Sequence, residues 1–226
     1  MIAFGTAIAD RQIYEEVALA GIERVAEPDS PILVREGHDS IQRPYNEMLD
    51  EAAALADLEA LVLLHQDVEL EDEALPRRIR RAFRDPRAGL FGVLGARLSK
   101  LHRWLSPEEV LGIAIGPEHM GPERVRLSVG PQEADAVDGA VLVLAPWVVR
   151  GLRFDEALPG GFHGYDIDIS LRVRAHGGTV ICEDVDCRHH ADVKHDYEAQ
   201  RDAGIELARM WDPALRPREW EAAFHR

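Results

Sequence analysis

Three short stretches of the 226-residue sequence gather side chains that can do chemistry. In "LVLLHQDV", from Leu61, an apolar run ends in His65, Gln66 and Asp67. "GGFHGYDIDISLR", from Gly160, carries Asp166 and Asp168. "CRHHADVKH", from Cys187, carries His189, His190 and His195. Hard divalent cations take oxygen ligands, and manganese also accepts imidazole. A strand-end carboxylate such as Asp67 with a distant histidine therefore suits an open metal site, and another carboxylate nearby would be free to act as a general base. Each stretch also has an ordinary reading: an Asp after a strand as a turn residue, Asp166 and Asp168 as complements to a helix dipole, the histidines as solvated loop residues. A zinc hydrolase built on His189, His190 and His195 is a further reading. It meets the difficulty that adjacent strand residues face opposite ways, while zinc usually wants three convergent protein ligands.

The elements around these stretches alternate. "IAFGTAI" reads as a buried strand over 2–8. Asp10 can cap a helix through "RQIYEEVALAGIERV", with Ile13, Val17 and Ala20 on one face. "ILVRE" is a second strand, and "GHDSIQRPYNEMLDEAAALADLE" a loop and helix. "ALVLLHQDV" is a third strand, its continuous apolar run fitting a sheet covered on both faces. "DEALPRRIRRAFRD" is an amphipathic helix with Pro76 in its first turn, where proline is tolerated. "AGLFGVLGAR" is a fourth strand. This order predicts an α/β fold, a Rossmann-like and mostly parallel sheet with helices on both faces, in which ligands sit at the carboxyl ends of strands. "HQD" lies at such an end.

Beyond that the pattern loosens. Residues 98–136 show no clean period and read as a long excursion. His102 and Trp104 within it could stack on a sugar or pack the loop. "VDGAVLVLAPWVV" reads as a strand, "RGLRFDEALPGGFHG" as a loop, "YDIDISLRVRAHGG" as a helix, "TVICEDVDCRHH" as a last strand and "DYEAQRDAGIELARMW" as a last helix. Cys182 and Cys187, five apart on that strand, read as two buried free thiols rather than a disulfide. The net charge of −15 argues against a nucleic-acid partner. No apolar run is long enough for a membrane span, and the opening is unlike a secretory signal. A cytoplasmic protein is the expectation.

At these residues the sequence resembles the family 2-like glycosyltransferases of the GT-A fold. "LVLLHQDV" is similar to a variant of their metal signature, in which His-Gln-Asp replaces the usual Asp-x-Asp. "SIQRPYNEML" resembles their loop and helix, with Asn46 at a recurrent Asn. "GLFGVLGA" fits their fourth strand, "VDGAVLVLAPWVVRGLRFDEALPGGFHGYDIDISLR" their long acceptor-side motif, and "HHA" their closing His motif. The usual first-strand Pro-Thr-Tyr-Asn ending is replaced by "AFGTAIADR", and Tyr165-Asp166 stands where Glu-Asp is usual. The resemblance implies one domain over 1–226, with a nucleotide-binding half at 1–97 and an acceptor and catalytic half at 98–226. It implies an inverting, metal-assisted transfer of a hexosyl-type sugar from a nucleoside-diphosphate sugar to a carbohydrate or other hydroxyl acceptor. Asp67, with His189 or His190, would hold Mn²⁺ or Mg²⁺. His65 and Gln66 would line the diphosphate, and Arg43 is a candidate for the phosphates or a plain surface residue. Thr6, Ala7 and Ile8 with the Glu36–Ser40 segment, Asp39 included, would hold base and ribose. Asp138 and Gly139 would lie by the donor sugar, and Asp166 would be the general base. A nucleotide-sugar-binding protein without turnover is the alternative.

Overall fold

Strand β1 (Ile2–Ile8) is almost wholly buried. Asp10 then caps a helical run, its Oδ1 accepting the N–H groups of Gln12 and Ile13 at 2.9 and 3.1 Å. The run comprises α1 (Arg11–Ile13), a π-helical stretch Tyr14–Leu19 and α2 (Ala20–Val25). The expected face of Ile13, Val17 and Ala20 is not the one that packs: Ile13 is 38% exposed, whereas Tyr14, Ala18, Ile22 and Val25 are buried. The wider π turn puts residues spaced four apart on the inner face. Gly21 lets this helix lie against a neighbouring backbone, since a Cβ there would fall 2.4 Å from the Leu70 nitrogen.

The structure, a computed structural model, describes residues 1–97, 110–114, 125–126, 131–190 and 197–211. After α2 come β2 (Ile32–Glu36), α3 (Gln42–Ala53), β3 (Ala60–Leu64), β4 (Val68–Leu70), α4 (Leu75–Ala82), β5 (Ala88–Gly92) and β6 (Leu94–Ala96). Then follow β7 (Val110–Ala114), β8 (Val125–Arg126), β9 (Gln132–Ala134), β10 (Ala136–Val137), β11 (Val141–Leu144), α5 (Pro146–Gly151), α6 (Tyr165–Ala175), β12 (Thr179–Cys182), β13 (Cys187–His189) and α7 (Tyr197–Trp211). The main sheet has the order β2-β1-β3-β11-β5-β12-β9. Five strands run one way, and β11 and β9 run against them. A second sheet has the order β10-β6-β7-β8, and β4 pairs with β13 in a two-stranded ribbon.

The period-two alternation of each strand sorts the core into two layers. Ala3, Leu61, Leu63, Leu90, Leu142 and Val180 meet Tyr45, Met48, Val148 and Ile169 on one face. Ile2, Phe4, Val62, Leu64, Phe91 and Val143 meet Tyr14, Ile22, Leu75 and Ile79 on the other. All five residues of β3 are fully buried. The expected mostly parallel sheet covered on both faces is therefore present.

Several expected boundaries move. The third strand stops at Leu64 and "HQD" is a turn leading into β4. The fourth strand breaks at Val93 into β5 and β6. "VDGAVLVLAPWVV" is the end of β10, a turn, then β11, then α5, because Pro146 starts a helix at its first turn. The last strand divides into β12 and β13, so Cys182 and Cys187 sit on different strands; both are buried free thiols. The 98–136 excursion holds strands at β7, β8 and β9 and the start of β10. His102, Trp104 and His195 lie outside the described residues. Among the described residues, no helix is long and apolar enough to cross a membrane.

Asn46 locks the loop that precedes α6. From α3, its Oδ1 accepts the Phe154 N–H at 2.9 Å and its Nδ2 donates to the Phe154 carbonyl at 3.0 Å and to Glu156 Oε1 at 2.9 Å. Asn46→Ala strips two buried backbone groups of their partner and is expected to lower the unfolding free energy by roughly 2–4 kcal/mol. Urea denaturation reads this as a lower midpoint at unchanged slope; a loss below about 0.5 kcal/mol would show that the clamp carries little.

Candidate functional site

The turn after β3 is held from three sides. The His65 N–H donates to the Ala140 carbonyl at 3.1 Å, which exists because antiparallel β11 starts beside the end of β3, with Val141 opposite Leu64. Gln66 Oε1 accepts the N–H groups of Ala9 and Asp10 at 2.7 and 2.9 Å, fastening the turn to the loop after β1. The Asp67 carbonyl accepts the His190 N–H at 2.8 Å, continuing the ribbon in which Val68 pairs with His189.

That ribbon sets His189 Nε2 3.2 Å from Asp67 Oδ1, and the rings of His65 and His189 stand 5.5 Å apart. One donor atom each from His65, Asp67 and His189 lies within 4.8 Å of the others. Burial pushes the Asp67 carboxyl up, but the hydrogen bond from His189 and the charges of both imidazoles outweigh it and hold it below the usual aspartate value. Burial pulls His189 down, and its bond to Asp67 overrides this and raises it. Burial, then the charge of His189, lowers His65. An ionised carboxylate beside a neutral imidazole and a second histidine supplies the lone pairs a divalent cation requires, so the residues fit such an ion.

A second cluster abuts the first. Asp138 Oδ1 accepts the Ala140 N–H at 2.9 Å, shaping the turn before β11. The N–H of Gly139 donates to Asp166 Oδ2 at 3.0 Å, and that of Ile167 to Oδ1 at 2.9 Å. Asp166 sits in the first turn of α6, nine-tenths buried, and burial followed by the charge of Asp138 pushes its carboxyl up to about 7. Tyr165, one residue earlier, joins the clusters: its hydroxyl lies 2.5 Å from His65 Nε2. Gly139 makes room, because a Cβ there would fall 2.0 Å from the Tyr165 oxygen.

Beside these groups is a cleft of about 230 Å³. Ala7, Ile8, His65, Gln66 and Asp67 line it, as do His38 and Ser40 of the expected Glu36–Ser40 segment and Tyr165 beside Asp166; Arg35 and Phe162, which sequence reasoning did not single out, line it too. Arg35 carries no local motif; the carboxyl-end rule for β2 would have pointed to it. Other expected residues are elsewhere. Thr6 is fully buried within β1 and does not line the cleft. Glu36 turns outward to pair with Arg11 at 2.6 Å, and Asp39 is exposed beyond the lining residues His38 and Ser40. Gln66 does line the cleft but spends its side-chain oxygen on backbone, and Asn46, away from the lining, is the clamp on Phe154. Arg43 is a surface residue 3.6 Å from Glu47. His190 reaches Glu69 Oε2 at 3.2 Å, so His189 alone of the pair turns to Asp67. That divergence separates two ligands of the zinc reading.

Comparison with known proteins gives a consistent picture. The model of the "Glycosyltransferase like family" matches residues 3–207. The streptomycin biosynthesis protein StrF of Streptomyces griseus is 31% identical over 198 residues, 85% of this chain and 67% of that protein. Among solved structures, the mannosyltransferase PcManGT from Pyrobaculum calidifontis, in complex with GDP-Man and Mn²⁺, is similar with a TM-score of 0.57 at 12% identity, over 99% of this chain and 68% of that one. GalNAc-T7 with UDP, GalNAc and Mn²⁺ is similar with a TM-score of 0.58 at 11% identity, over 93% of this chain and 48% of that one. At such identities these two likenesses show the GT-A fold.

The raised Asp166 carboxyl has a consequence for stability. Its folded value of about 7 exceeds the ordinary 3.8, so the folded state binds the extra proton between them. The associated stability is complete below the ordinary value and is lost as pH rises through the folded one; its ceiling is about 4 kcal/mol. Asp166→Asn is therefore expected to flatten the fall in stability between about pH 4 and pH 7. Urea midpoints of both proteins across that range check it, and parallel curves would contradict the raised value.

Proposed function

Because the chain belongs to the glycosyltransferase-like family, we propose that it transfers a sugar, with inversion, from a nucleoside-diphosphate sugar to a hydroxyl acceptor. The observation carrying this reading is the convergence of His65, Asp67 and His189 on one point at the edge of the cleft, next to a buried carboxylate on α6. When bound there, a divalent cation supplies the Lewis acidity that offsets charge on a diphosphate leaving group. Two imidazoles with one carboxylate suit Mn²⁺ better than Mg²⁺, which favours oxygen throughout.

The chain's own groups have separable parts. Ala7, Ile8, His38 and Ser40 wall the side of the cleft where the nucleoside would lie. Asp138 and Gly139 would face the donor sugar. Asp166 would take the proton from the acceptor hydroxyl: a carboxyl near 7 is half in its basic form at neutral pH, and accepting two N–H bonds leaves lone pairs on both oxygens. Residues 1–97 would form the nucleotide half and 98–226 the acceptor half of one domain, acting in the cytoplasm on a hexosyl-type donor. One observation favours the alternative of binding without turnover: Asp166 is nine-tenths buried and does not line the cleft, whereas Tyr165 does.

Thermal-shift and calorimetric titration with UDP, GDP, CDP and dTDP, each with Mn²⁺, Mg²⁺ or EDTA, tests the donor site. One nucleotide is expected to stabilise the protein by about 2.7 kcal/mol at a hundredfold excess over its Kd, and only with metal. Asp67→Ala is expected to abolish the metal dependence; an unchanged metal response would remove Asp67 from the site. With a donor identified, Asp166→Asn is expected to bind nucleotide normally while transfer falls roughly 10²–10⁴-fold. Transfer near the wild-type rate would refute Asp166 as the base, and wild-type binding without transfer to any acceptor would favour the binding-only reading.

A further inference from the structure

Tyr165 stands where two kinds of constraint meet. Its ring is fixed without its hydroxyl: Tyr45 packs edge-on with centroids 5.8 Å away, and Phe154 lies at 6.1 Å. The hydroxyl is then delivered to a notch that Gly139 leaves open. There it meets His65 Nε2 at 2.5 Å, while the backbone of His65 is already pinned to Ala140. Burial raises the Tyr165 phenol well above its ordinary value, so it stays protonated near neutrality. An imidazole has two nitrogens, and a hydrogen bond at one determines which of them presents a lone pair at the other.

The geometry points to Tyr165 as the positioning residue for His65: its hydroxyl oxygen accepts the Nε2–H and so leaves Nδ1 as the nitrogen offered to a divalent cation shared with Asp67 and His189. This rests on the metal reading above and deepens it. A ligating histidine whose remote N–H is held has its tautomer and ring angle set before the ion arrives. The same residue precedes Asp166 on α6, so one side chain ties the start of the base-bearing helix to the metal turn.

Tyr165→Phe tests the idea, because it keeps the ring that packs on Tyr45 and Phe154 and removes the hydroxyl alone. Two readouts are needed on wild type and variant. Nitrogen-15 NMR of the metal-free proteins is expected to find His65 as the Nε2–H tautomer in wild type and as a mixture in the variant. Calorimetric titration with Mn²⁺ alone is expected to show affinity falling roughly 10- to 100-fold. Gly139→Ala, whose Cβ would displace the hydroxyl without removing it, is expected to disturb the tautomer in the same way. An unchanged tautomer in both variants, or Mn²⁺ affinity within twofold of wild type in Tyr165→Phe, would overturn the assignment. Failure of wild type to bind Mn²⁺ would instead sink the metal reading, and the His65 tautomer would still decide whether Tyr165 orients the ring.

Discussion

The antiparallel pairing of β4 with β13 is the constraint on which the site depends. Only three residue pairs are involved, yet they join a turn in the first third of the chain to a strand near its end. The pairing fixes both a distance and a parity: with His189 opposite Val68, its side chain projects toward Asp67 and that of His190 projects toward Glu69. A slip of one residue would exchange the two histidines. Gly21 supports the ribbon from below, since only a residue without a side chain lets α2 rest on the backbone of β4.

The antiparallel strand β11 does for the second cluster what the ribbon does for the first. Inserted between two strands of the opposite direction, it begins where β3 ends and so places Asp138 and Gly139 beside His65. Two carboxylates in these clusters thus meet different fates. Asp67 has histidines to offset its burial and is held ionised. Asp166 has backbone N–H groups, but its burial and the nearby charge of Asp138 prevail, and it is held near the neutral range. One is suited to a cation and the other to exchanging a proton, and the difference lies in neighbours rather than in residue type.

Much of the architecture was legible in the sequence. Apolar runs such as "ALVLL" announced strands buried on both faces, Asp10 announced a helix start, and "HQD" at a strand end pointed to the mouth of the sheet. What was not legible has a common cause. Strand direction is not encoded in local alternation, so nothing in "VLVL" says that β11 runs against its neighbours. The choice between His189 and His190 depends on a pairing register set by a distant segment. Asn46 could be singled out as matching a recurrent Asn, but its hydrogen bonds to Phe154 arise only when α3 and the later loop pack together. Tyr165 looked like a departure from a pattern, because a tyrosine at a helix start is ordinary until its hydroxyl is found on an imidazole.

The notch at Gly139 has a consequence for how this sequence can drift. A side chain at 139 and a tyrosine at 165 compete for the same few cubic ångströms, so the two positions form a single evolutionary unit. Replacing Gly139 first expels the phenol; shortening Tyr165 first opens a void that a methyl group at 139 could then fill. Viable paths between this arrangement and one with a smaller residue on α6 must therefore pass through position 165 before position 139. The order in which substitutions accumulate at the site is written into its sterics.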